Sequence, residues 1–385
     1  MPHIYFDNNA TTPLASEVKA VLREIDECFG NPSSIHWAGR EARKLLNISR
    51  EKIASFLGAE EGEILFTSGG TESINAALVG VWETGVRSQE LGVRSRNQII
   101  SSPIEHHATL KTLEYLQSRG AEIIFLKVDR LGRIDLEELH SRMTPKTLLA
   151  SLMFANNELG NLYPIEKVGE ICREKGVFFH CDGVQAIGKV RIDLRKIPVD
   201  LFSFSAHKFH GPKGVGGLFV REGVRIAPLH RGGNQERQRR AGTENLSGIN
   251  GMAVALELCL KNLEQDNAYI LSLRNKLEEG ILSKIDGVYV NGDLSNRLSN
   301  TTHLRVEGVD GETLLLNLDL EGVAVSAGAA CESGSLDPSH VLLAMGLNPK
   351  QAKASIRFSL SKYNIEEEVD EVLKIFPKII RRLRG

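Results

Sequence analysis

Between about residues 62 and 220, short runs that are apolar throughout alternate with longer stretches whose apolar residues recur every three or four positions. EILFTS, NQIISSP, AEIIFLKV, TLLASLMFA, GVFFHCD and LFSFS have the length and the β-branched and aromatic content of buried strands. TESINAALVGVW, HATLKTLEYLQSRG, DLEELHSRM and PIEKVGEICREKG lie between most of them and carry helical spacing. This alternation predicts an α/β fold with a mostly parallel central sheet covered on both faces by helices. Ligands in such sheets bind beyond the carboxyl ends of the strands, so chemistry is sought in the residues that follow each run.

A long helical stretch over 247–285 then predicts a link to a smaller α+β domain containing VYVNG, NTTHLRV and the closing amphipathic helix EEEVDEVLKIFPKIIRRLRG. The expected boundaries are 13–260 for the large domain, with 1–12 and 261–385 forming the small one. GVRSQELGVRSRN at 85–97, a tandem echo of GVRS, reads as a surface loop extension without a function of its own.

The 385 residues, 42% hydrophobic and 25% charged, supply an ample core, and a net charge of −2 exerts no long-range pull on nucleic acid or anionic membranes. No basic segment followed by an apolar core opens the chain, and no apolar run approaches the roughly 18 residues of a membrane span. A soluble, cytoplasmic protein is expected. The five cysteines form no CxxC pair and no metal-ligand spacing, so no metal site is expected. Cys28, Cys172, Cys181 and Cys259 read as small core residues. Cys331, in VAVSAGAACESGSLDPSH, has no bulky neighbours and predicts an exposed, reactive thiol on an unanchored loop.

Lys208 ends the strand-like run in VDLFSFSAHKFHGPKGVGG. An ammonium in a partly desolvated pocket has a lowered pKa and can form a Schiff base with an aldehyde such as pyridoxal phosphate; the alternative is a surface lysine in a turn. In EILFTSGGTESINAAL, Gly69 and Gly70 let the backbone approach a phosphate at the helix start opened by Thr71, or the segment is simply a well-capped helix. It is neither GxxxxGK[ST] nor GxGxxG. Asp182, ending GVFFHCD, suits a protonated pyridine nitrogen or its own turn, and Gln185 is three residues on, within reach of the ring's phenolic oxygen. His106 and His107 follow NQIISSP and suit either stacking on a flat ring or capping. Asn156 and Asn157 read as a turn. Arg357, in SIRFSLS, has the planar fork for a substrate carboxylate or a structural salt bridge.

Together YFDNNATTP, GNPSSIH, FTSGGTES, EHHA, NNELG, DGVQ, SAHKFHGPKG, GGNQERQRRAGTEN, SAGAACESGSLDPSHVL and RFSLS resemble, from end to end, the NifS-like cysteine desulfurases. These are pyridoxal-phosphate enzymes of the class V aminotransferase family, with the type I, aspartate aminotransferase-like fold. The resemblance implies that Lys208 carries pyridoxal 5'-phosphate and that His106 stacks on its ring, with Lys208 or His106 as the candidate for moving protons. It gives Asp182, Gln185 and Asn157 to the ring and Gly70, Thr71, Ser205 and His207 to the phosphate. Thr243 would reach the phosphate of the other subunit in a homodimer. Asn157 and Arg357 would bind the substrate, L-cysteine. Cys331, on the small domain, would take its sulfur as a persulfide, releasing L-alanine. The sulfur would then pass to an acceptor protein such as an iron–sulfur scaffold or a thiolation enzyme. No metal is implied beyond a transient iron–sulfur contact through Cys331, and neither nucleic acid nor membrane is a partner.

Three departures stand out. Gly183 replaces the usual alanine, which is expected to loosen the floor under the ring slightly. Ala329 replaces a serine and Glu332 follows the nucleophile, both bearing on its thiolate pKa. The sequence stops at RRLRG, short of the extension by which housekeeping members dock a scaffold. A selenocysteine lyase or another pyridoxal lyase is the alternative reading, and a sulfur-relay protein without turnover a third.

Overall fold

The computed structural model describes residues 3–90, 96–327 and 337–385, with 86–90 described by backbone alone. Its centre is a seven-stranded sheet in the order Ile64–Thr67, Gly216–Val220, Leu201–Ser205, Phe178–Asp182, Thr147–Met153, Gln98–Ser101, Glu122–Phe125. Gly216–Val220 runs against both its neighbours and every other pairing is parallel. All six predicted strands are present. Glu122–Phe125 is one of the two edge strands and only partly buried, leaving Phe125 exposed.

Alternation along each strand feeds two cores, one per sheet face. Leu65, Ile99, Leu149, Leu201 and Leu218 meet the helices Gly70–Glu90 and His107–Ser118. Ile64, Phe66, Ile100, Ala150, Phe202 and Phe204 join the other core, with Leu246–Lys261 and Trp37–Leu57. A third core gathers Ile4 and Phe6 with Leu277, Leu304, Phe358 and Phe376, around the antiparallel sheet Val288–Val290, Thr301–Val306, Ser355–Ser359. The N-terminal strand Ile4–Tyr5 pairs in parallel with Val323–Ala324, so the first residues pack with the last third of the chain. Leu298, Val341, Leu342, Met345 and Ala352, by contrast, pack into the core of the large sheet.

Two expectations change. The helical stretch over 247–285 is two helices, Leu246–Lys261 and Leu263–Leu282, parted at Asn262 (φ −123°, ψ 26°). The helix opened by Gly70 continues to Glu90, so the start of the GVRS echo is helical, and residues 91–95 lie outside the described ones.

Candidate active site

The carboxyl ends of the parallel strands surround a cavity of about 160 Å³. Nine of the predicted residues line it: Gly70, Thr71, His106, Asn157, Asp182, Gln185, Ser205, His207 and Lys208. Gly70, Thr71, Ser205 and His207 also line an adjoining recess of about 330 Å³ with Lys213.

The turn after Ile64–Thr67 gives the cavity its anion-binding end. Gly69 has φ +154°, which L-residues rarely adopt, and a β-carbon on Gly70 would lie 2.7 Å from Val184 Cγ2. The two glycines therefore leave open a cradle at the helix N-terminus. Glu72, in the first helical turn, accepts from Ser68 N at 2.7 Å and from Arg240 Nε at 2.9 Å. Those bonds outweigh its burial and hold the carboxyl below the usual range.

Asp182 ends its strand with Oδ1 accepting from Val184 N at 3.0 Å, so the turn reading holds. Burial nevertheless pushes the carboxyl up to about 6, although Lys208 opposes this. A buried carboxylate still short of stabilisation suits a cationic ring nitrogen. His106 likewise fulfils both readings: it caps the helix, Nδ1 accepting from Ala108 N at 3.0 Å, and it lines the cavity. Accepting at Nδ1 places the hydrogen of the neutral ring on Nε2. Burial, then the charges of Lys208, His107 and His340, pulls it down to about 4, so it is neutral at pH 7.

Lys208 closes a short helical turn, Ala206–Lys208, and donates to the carbonyls of Asn9 (2.6 Å) and Ala10 (2.9 Å). His207 Nδ1 lies 3.2 Å from Thr11 Oγ1, and burial pulls it down to about 4. Arg357 is almost wholly buried and outside the cavity lining. It donates to Asp7 Oδ1 at 2.6 Å and to the Asn157 carbonyl at 2.8 Å, and among the described residues its Nε has no partner. The salt-bridge reading thus describes its present contacts, while one donor is left over for another ligand.

Thr243 is exposed and does not line the cavity of its own chain. The segment before it is held by Glu236, which is buried and receives both terminal nitrogens of Arg50 together with Phe66 N at 3.0 Å. Glu236, Arg237 and Gln238 all have positive φ (48°, 58° and 65°), at a cost of about 1–3 kcal/mol each for non-glycine residues. The Arg50–Glu236 pair ties this turn to the strand that leads into Gly69.

At Gly183 the Phe202 ring occupies the space that an alanine side chain would take, with its Cζ against the position of a β-carbon. Cys172, Cys181 and Cys259 are buried and Cys28 half-buried. Cys331, Ala329 and Glu332 lie outside the described residues.

Sequence reasoning gave no part to Asn9, Lys189 or Glu105. The Asn9 carbonyl receives Lys208 and Gln185, and its Oδ1 receives Lys189 at 3.2 Å. Its Nδ2 donates to the Asn157 carbonyl and to Thr301 Oγ1. The available signals were its place in the motif YFDNNATTP and polarity, DNNATT directly following the apolar Ile4-Tyr5-Phe6. Glu105 accepts from Ser102 Oγ (2.7 Å) and Met153 N (3.1 Å), and burial pushes its carboxyl up to about 8. Among the described residues no helix is long and apolar enough to cross a membrane.

A family model described as Aminotransferase class-V matches residues 4–372. A protein named cysteine desulfurase IscS, from Methanosarcina thermophila, is 47% identical over 383 residues, covering 99% of this chain and 93% of that one. A solved NifS-like protein superposes with a TM-score of 0.92 at 41% identity, covering 99% of this chain and all of that one. A structure described as SspA in complex with cysteine gives a TM-score of 0.81 at 32% identity over 94% of this chain and all of that one.

Proposed function

Because the chain belongs to the class V aminotransferase family, among its NifS-like cysteine desulfurases, we propose that it converts L-cysteine to L-alanine with pyridoxal 5'-phosphate as cofactor. The observation that carries this reading is the gathering of Lys208, Asp182, His106 and a glycine-walled helix N-terminus around one cavity.

The residues present fit the cofactor. The cradle at Gly70, which a β-carbon would fill, suits a phosphate, together with Thr71, Ser205 and His207. Asp182 would pair with the ring nitrogen, Gln185 would donate to the phenolic oxygen, and Lys208 Nζ would hold the group covalently. When bound, the cofactor supplies an electron-accepting ring that lets the carbon–sulfur bond of the substrate break. His106, uncharged beside Lys208, offers a flat face without repelling the ammonium. Lys208 Nζ is the base in the same cavity that would carry the substrate's α-proton. Asn157 and Arg357 would orient the substrate carboxylate.

Cys331 would receive the sulfur as a persulfide and pass it to an acceptor protein in iron–sulfur cluster assembly or thiolation. We assign the large domain to 13–260 and the small one to 1–12 and 261–385. The working unit is a cytoplasmic homodimer whose Thr243 completes the partner's phosphate site.

Purified protein given L-cysteine should release alanine in step with transferable sulfur. Borohydride should fix the cofactor mass on the Lys208 peptide. Lys208→Ala should abolish both results, whereas Cys331→Ala should retain the cofactor and release no alanine. Wild-type alanine release by Cys331→Ala would remove the nucleophile. Activity of that variant with selenocysteine alone would favour the lyase.

A further inference from the structure

Beyond the residues assigned above, a second lysine reaches the cofactor-facing network. Lys189 lies four residues after Gln185 and donates from Nζ to Gln185 Oε1 at 2.7 Å and to Asn9 Oδ1 at 3.2 Å. An ammonium has hydrogens and no lone pair, so the amide atom facing it must be the oxygen. From the other side, Gln185 Nε2 lies 2.9 Å from the Asn9 carbonyl, which can only accept. Two independent partners therefore give the same orientation to an amide whose two ends are otherwise nearly interchangeable. One Nε2 hydrogen goes to Asn9, and the other is left for the cavity that Gln185 lines.

We propose that Lys189 is a positioning residue that locks the Gln185 amide with its N–H, rather than its carbonyl oxygen, available to the oxygen of the bound cofactor's ring. The lock matters because a flipped amide would set a lone pair against a phenolate. With Lys189 in place the amide donates and favours the deprotonated ring oxygen. Burial, with Lys208 and Arg357 nearby, pulls Lys189 down to about 7. Even as a neutral amine it has N–H groups for the two acceptors it faces. Asn9 links the lock to the rest of the site, since its carbonyl also receives Lys208.

This inference rests on the cofactor reading, so borohydride trapping on Lys208 of the wild type comes first; its failure would sink that reading rather than this one alone. The test proper compares the near-ultraviolet and visible absorbance of cofactor-loaded wild type, Lys189→Met, Gln185→Ala and the double variant over a range of pH. Lys189→Met is expected to shift the spectrum toward the protonated-oxygen form and to raise the pH of the spectral transition. Gln185→Ala should do the same, and adding Lys189→Met to it should change nothing more. Lys189→Arg, which keeps a donor, should restore the wild-type spectrum at least in part. If Lys189→Met does not fold, Lys189→Gln, uncharged and about one bond too short to reach Oε1, must show the same change. A wild-type spectrum in Lys189→Met, an equal further shift in the double variant, or loss of folding in both uncharged variants would overturn the proposal.

Discussion

The ring of Phe202 fills the space into which a side chain at Gly183 would project: a β-carbon there would fall inside van der Waals distance of Cζ, Cε1 and Cε2. Gly183 N donates to the Ser203 carbonyl at 2.9 Å, so the backbone cannot back away without disturbing the strand that carries Asp182. Gly183→Ala should therefore destabilise the protein by about 1–3 kcal/mol through overpacking. Phe202→Leu should recover much of that loss. Calorimetry on the two single variants and the double checks it, and strictly additive losses would show that the two positions are uncoupled.

Removing Glu236 leaves the buried Arg50 guanidinium with the Ile64 carbonyl at 2.8 Å and the Phe66 ring, and without its counter-charge. Glu236→Ala is expected to cost about 3–5 kcal/mol and to release the left-handed turn. Chemical denaturation measures the first effect. Limited proteolysis measures the second, with new cleavage expected at 236–240. Unchanged proteolysis would mean that the turn holds itself.

If Thr243 acts on the partner subunit, mixing Lys208→Ala with Thr243→Ala chains should generate hybrid dimers with one complete site. Activity after subunit exchange should then exceed that of either variant by itself. No gain, with Thr243→Ala clearly impaired alone, would count against a shared site.

Acid should destabilise the protein. His106, His207 and His210 are pulled down to about 4, and His180 and His303 to about 3, chiefly by burial. Against an unfolded value near 6.5, the unfolded chain binds these protons first as pH falls, so their contribution is lost on acidification. Burial raises Glu105, Asp182 and Asp200, and these act in the opposite sense. The five histidines outnumber the three carboxylates. The urea midpoint of the cofactor-free protein should rise with pH between about 4.5 and 6, and a flat or falling profile there would contradict this balance.

Thiol alkylation should separate the cysteines. Cys172, Cys181 and Cys259 are buried, and burial raises all three thiols, Cys259 to about 11. Peptide mass mapping of native protein should show Cys331 labelled first and these three only after denaturation. Early labelling of Cys181 would show that the sheet opens.

Legibility followed the unbroken apolar run rather than burial as such, since Gly216–Val220 is buried throughout and Glu122–Phe125 only in part. Runs such as Thr147–Met153, buried along their whole length, announce themselves as strands. Gly216–Val220 does not, because its glycines look like a turn. Yet a β-carbon on Gly216 would meet the Phe204 carbonyl oxygen at 2.5 Å and Gly69 Cα at 2.7 Å, so the glycines serve close backbone approach. Likewise Lys208 and Asp182 are readable because each ends a strand run, whereas Lys189 and Asn9 act through hydrogen bonds formed only in the folded chain. Arg357 could be read either way from sequence, and its partner Asp7 lies 350 residues away.

Asn8 is tied to the Ser359 carbonyl across 351 positions, and Asn9 to Thr301 Oγ1 across 292. These asparagines are among the first residues synthesised, and their anchors are among the last. At about 5–20 residues per second the interval is roughly 15–70 s. A nascent chain already holding Lys208, Asp182 and Gly70 therefore lacks the fixed carbonyl against which Lys208 rests. Loading of the cavity is therefore expected only once Thr301 and Ser359 have been synthesised. Ribosome-bound fragments ending before Thr301 should leave free cofactor in solution, however well their central sheet has formed.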